Sequence, residues 1–110
     1  MKDLFTSSSL VLIISHQGPD GDSIGSSVAL ARYLKKLRVK SHIIFPDPFP
    51  TYYGWLLEEE DFTVANSDSE KLPLLFDMAD LICCLDFNHL YRCGDILYNH
   101  VKQHNIDTLV

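Results

Sequence analysis

The apolar positions of the chain alternate between two kinds of segment. Leu10 to Ser15 is a continuous run rich in Val and Ile that breaks at His16-Gln-Gly-Pro-Asp-Gly. An apolar run of that length bounded by turn residues predicts a strand buried on both faces, as in a parallel sheet. From about Ser23 to Leu37 the pattern changes. Ile24, Val28, Ala31, Leu34 and Leu37 recur at helical spacing, while Arg and Lys fill the other positions. This predicts an amphipathic helix, with Asp22 or Ser23 as its cap. "VKSHIIFP" reads as a second strand, stopped by a loop holding Pro46, Pro48 and Pro50. A strand, a helix and a strand in that order imply a right-handed crossover between parallel neighbours.

The remainder repeats the alternation with weaker signals. "TYYGWLLEEE" is a short aromatic-rich helix candidate, Phe62 to Ala65 a weak strand, and "NSDSEK" a polar loop. Leu72 to Met78 fits one or two helical turns. The apolar centre of "DLICCLD" makes it the next buried strand, and "LYRCGDILYNHVKQHN" places Leu90, Ile96, Leu97 and Val101 on one helix face. "IDTLV" reads as a last strand. The expected fold is α/β, a mainly parallel sheet with helices on both faces.

Bulk composition narrows the class. At 110 residues the chain suits one domain, and no stretch of about 18 apolar residues is present to span a membrane. The N-terminal apolar run is too short for the core of a signal peptide. The cysteines are three, an odd number, and Cys83 and Cys84 are adjacent on a predicted strand, where they point to opposite faces and cannot bridge each other. A reducing cytoplasm is the expected location. The net charge of −6 argues against a broad nucleic-acid footprint, and the cluster Arg32, Lys35, Lys36, Arg38, Lys40 reads as a solvated helix face. Any phosphate bound here must therefore meet positive charge supplied locally.

The candidate chemistry lies after the first strand. His16, Asp20 and Asp22 fall within seven residues, separated by Gly and Pro, which fold a short loop back on itself. One imidazole with two carboxylates suits Mn²⁺ or Mg²⁺ better than a closed zinc site. Asp86 ends the "DLICCLD" strand at a matching position, and three carboxylates in one crevice would repel unless a cation neutralised them. Pro-Asp-Gly-Asp is also an ordinary turn sequence in which Asp22 caps a helix. The buried strand entering the loop and the second Asp at another strand end favour a site, since α/β folds bind ligands outside the carboxyl ends of their strands. Gly25 and Ser26 are expected to let the helix approach the sheet closely, leaving amides at its N-terminus for phosphate oxygens. His89 and Arg92 follow Asp86 and are candidate substrate-binding residues, Arg92 as a phosphate clamp. His42, His100 and His104 read as structural. Tyr52, Tyr53 and Trp55 read as core-covering rather than base-stacking residues, and the cysteines as small apolar ones.

"ISHQGPDGDSIGS" resembles the first motif of the DHH superfamily of phosphoesterases, an apolar strand followed by His and then Pro-Asp-Gly-Asp-Ala/Ser-Ile/Leu-Gly-Ser. "ICCLDFNHLYRCGD" resembles the second, an apolar strand ending in Asp with Arg-x-Gly some six residues on. The likeness is strongest to the nano-RNase subfamily, whose members also dephosphorylate 3′-phosphoadenosine 5′-phosphate, and to exopolyphosphatase-related proteins. It implies a Rossmann-like domain and a pair of Mn²⁺ or Mg²⁺ ions, one held by His16 and Asp20, the other by Asp22, with Asp86 bridging. Catalysis would rest on Asp22 and Asp86, and the substrate would be a nucleotide or short oligonucleotide. The Asp-His-His motif that names the superfamily does not follow "IDTLV", so residues 1–110 are expected to be the N-terminal part of the domain. The C-terminal substrate-binding domain would then lie in a longer protein, for which a homodimer is admitted. Two rival readings are a non-catalytic nucleotide-sensing module and a receiver-like Mg²⁺-binding module.

Overall fold

The computed structural model describes residues 8–15, 21–49, 51–65, 69–85, 97 and 107–109, with backbone alone at 51–53, 69, 107 and 109. Among the described residues the strands are β1 (Val11–Ile14), β2 (Ser41–Phe45), β3 (Phe62–Val64), β4 (Leu81–Cys84) and β5 (Asp107–Leu109). All neighbours run parallel, in the order β3-β2-β1-β4-β5. Helix α1 (Gly21–Lys36) joins β1 to β2. A 3-10 helix (Thr51–Leu57) precedes β3, and α2 (Leu72–Met78) precedes β4.

Continuous apolar strands are what a sheet covered on both faces requires. Val11, Ile13, Ile43, Phe45, Leu81 and Cys83 point to one face, where Ile24, Val28, Ala31 and Leu34 of α1 cover them. Leu12, Ile14, Ile44, Ile82 and Cys84 point to the other, beneath Leu72 and Phe76 of α2. The predicted helix over residues 90–105 is described at Leu97 alone, which is helical, fully buried and part of this second cluster. Leu90, Ile96 and Val101 lie outside the described residues. The adjacent cysteines serve opposite faces as expected, and burial pushes the Cys83 thiol up to about 11, so it stays a neutral apolar group.

The ends of α1 differ from the sequence pattern. The helix begins at Gly21, so Asp22 and Ser23 sit inside its first turn and neither is the cap. At the other end Arg38 adopts a left-handed backbone with φ 61°. Arg38 N donates to Lys35 O at 3.0 Å and Val39 N to Leu34 O at 2.9 Å, the pair of bonds that closes a Schellman motif. Val39 and Leu34 share one apolar cluster, the hydrophobic contact that accompanies such an ending.

Gly25 does not mediate a close approach to the sheet. A methyl group there would meet no described atom within 4 Å, and Ser26 is exposed. The small residues facing the sheet are Ser23 and Ser27, both buried, with the Ser27 hydroxyl donating to the Ser23 carbonyl at 2.9 Å. Trp55 is 68% exposed, so it does not cover the core as its apolar surroundings in sequence suggest. Leu57 is the residue of that helix buried against α1's face.

Candidate active site

Chain order runs outward from β1 through β2 to β3, then returns to the far side of β1 with β4 and β5. The direction of winding reverses between β1 and β4. The connection that leaves β1 lays α1 on one face of the sheet, while Leu97, in the connection that leaves β4, is buried in the cluster on the other face. Connections that part in this way at a carboxyl edge are where open α/β sheets form a crevice.

The register sets the level of that crevice. Ile14 pairs with Cys84 across one ladder and with Ile44 across the other. One residue further, Leu85 N donates to Ile14 O at 3.1 Å and Ser15 N to Ile44 O at 3.2 Å. The ends of β1 and β4 thus stand side by side, one interstrand spacing of about 4.8 Å apart. The segment carrying His16, Asp20 and Asp22 leaves the first, and Asp86 follows the second two residues beyond Cys84. The adjacency that the sequence argument required is present.

Of the predicted site residues, Asp22 is described, exposed in the first turn of α1. A carboxylate there is favoured by the free amides and positive end of the helix dipole. His16, Asp20, Asp86, His89 and Arg92 lie outside the described residues. Among the described residues no three His, Cys, Asp or Glu side chains converge into a metal-binding group. Ser15, fully buried at the end of β1, was not singled out from the sequence, because a serine closing an apolar run carries no chemical signature of its own.

Residues 10–110 match the N-terminal domain of the DHH family. The chain belongs to that family. Over 63 residues, 57% of this chain, it is 40% identical to the bifunctional oligoribonuclease and PAP phosphatase NrnA of Thermus thermophilus. The solved structure of an exopolyphosphatase-related protein from Bacteroides fragilis superposes over 97% of this chain with a TM-score of 0.84 and 33% identity. The chain spans 18% of the Thermus protein and 32% of the Bacteroides one. The DHH first and second motifs identified in the sequence fall within the matched region. The Rossmann-like α/β fold agrees with the strand order found here.

Two other titratable features lie away from the crevice. His42 of β2 shares a 2.7 Å hydrogen bond between its Nε2 and Thr63 Oγ1 of β3. Burial holds the His42 imidazole below its usual 6.5, with Asp61 opposing that effect and Lys71 adding to it. Arg32 Nε meets Glu60 Oε2 at 3.4 Å, joining α1 to the connection into β3. His42 therefore has the structural role expected of it.

Proposed function

We propose that this domain hydrolyses phosphate esters of nucleotides or short oligonucleotides with the help of divalent metal ions. The reading rests on one observation: the winding of the sheet reverses between the two strands that are followed by the His16/Asp20/Asp22 segment and by Asp86. The donor set fits the metal by its chemistry, since hard carboxylate oxygens with a single imidazole suit Mn²⁺ or Mg²⁺. His16 and Asp20 would hold one ion, Asp22 the second, and Asp86 both. When bound, such ions activate a water molecule and offset the charge that develops on phosphorus-bound oxygens.

The chain's own contributions follow from position. Asp22, on the first turn of a 16-residue helix, is held on a rigid element, which keeps a ligand in place better than a loop does. The amides of that turn are donors for phosphate oxygens. His89 and Arg92 would orient the substrate, Arg92 by a two-point grip on a phosphate. The likeness to an oligoribonuclease and PAP phosphatase supports nucleotide substrates.

The test is hydrolysis of 3′-phosphoadenosine 5′-phosphate and of a diribonucleotide by the protein that carries this domain, with Mn²⁺ and with chelator. Asp20→Asn and Asp86→Asn are expected to lower kcat by a factor on the order of 1,000 without loss of the folded circular-dichroism signal. Near-normal Mn²⁺-dependent turnover in either variant would sink the proposal. Binding without turnover in the unmutated protein would support a nucleotide-sensing module instead.

A further inference from the structure

At the opposite, amino-terminal edge of the sheet lies a cavity of about 560 Å³. That volume lies within the range that takes small molecules. Lys35, Arg38 and Lys40 line it from the end of α1 and the connection into β2, while Glu59 and Asp61 line it from the connection into β3. Among the described residues none of these five charged groups forms an ion pair, although Glu60 beside them is engaged by Arg32. Leu10, Leu75 and Met78 supply apolar surface to the lining, and Ser41, His42 and Glu60 add polar groups.

We propose that this cavity binds a nucleoside monophosphate whose base carries an exocyclic amine. A phosphate dianion needs convergent cations, which Lys35, Arg38 and Lys40 supply. A flat heteroaromatic base buries well against Leu75 and the polarisable Met78 thioether. The amine then donates to Glu59 or Asp61, carboxylates that line the same cavity. The cavity is distinct from the proposed metal site. They lie at opposite ends of the strands, separated by about 13 Å for the four residues of β1.

The experiment is calorimetric titration of the chain with adenosine monophosphate in EDTA, so that bound divalent metal contributes nothing. Saturable one-to-one binding is expected, and it should survive Asp22→Asn. Lys35→Ala and Arg38→Gly should each weaken it about tenfold, the loss of one charge-assisted contact. Arg38→Gly relieves the left-handed backbone at that position, so weakened binding in this variant does not arise from misfolding. Inosine monophosphate, which lacks the amine, should also bind about tenfold more weakly. The proposal is overturned by the absence of saturable binding, by its loss in Asp22→Asn, or by inorganic phosphate binding as tightly as the nucleotide.

Discussion

Asp80 enters β4 and at the same time secures the start of β1. Its carboxylate accepts from Ser9 N at 2.7 Å and Leu10 N at 3.2 Å, while its own amide donates to Leu10 O at 3.1 Å. These bonds extend the central ladder past its last paired residues. Asp80→Ala leaves two backbone donors without their charged acceptor and should cost about 1–2 kcal/mol, read as a lower urea midpoint. His42 offers a pH-dependent counterpart. Its folded pKa lies below the unfolded value of 6.5, so its neutral form is the one the fold favours. That stability is fully present above the unfolded pKa and is lost as pH falls below it. Between about pH 7.5 and pH 5 the native chain should therefore lose more stability than His42→Gln. An equal loss in both would assign the acid sensitivity elsewhere. Such residue-level roles were hard to read from the chain. Ser23 and Ser27 are buried because one hydroxyl finds a carbonyl a turn away, and a count of apolar positions passes over both.

Elements were more legible than residues wherever a period was sustained. Four apolar positions of α1 fall on the buried stripe that their spacing predicts, and Leu37 packs beside it. Its ends were less legible. The usual stop signal is glycine, and here Arg38 takes the left-handed position at a cost of about 1–2 kcal/mol relative to a right-handed backbone. The strands proved shorter than their apolar runs. Val39 is buried yet precedes β2, because it closes the helix ending rather than joining the ladder. Gly25 tests the helix itself. With open space for a methyl group in mid-helix, Gly25→Ala should stabilise the domain by about 0.5–1 kcal/mol, a rise of roughly 3–5 °C in Tm. A fall in Tm would mean that the first turns of α1 carry strain that glycine relieves.

For the whole molecule the decisive fact is that β1 and β4, about seventy residues apart in sequence, are hydrogen-bonded neighbours ending level with each other. The proposed metal ligands are thereby divided between two segments that follow strands paired only in the folded sheet. Ligands so divided bind metal in the native state far better than in the unfolded chain, and binding then raises stability by mass action. Titrating Mn²⁺ should therefore raise Tm progressively in the native chain and not in Asp86→Asn. An unchanged Tm at saturating Mn²⁺ would count against any metal site at this crevice.

The sequence by itself determined that the sheet is parallel and two-sided, because unbroken Val/Ile runs alternating with amphipathic segments have no other stable burial. It also pointed to the family, through a motif whose residues are contiguous. The order of the strands was decided only in the tertiary structure. Strand pairing depends on which apolar faces fit beneath α1 and α2, and that choice is made between residues far apart along the chain. The reversal of winding between β1 and β4 is a consequence of that packing, and it sets side by side the ends of the two strands that precede the proposed metal ligands in sequence.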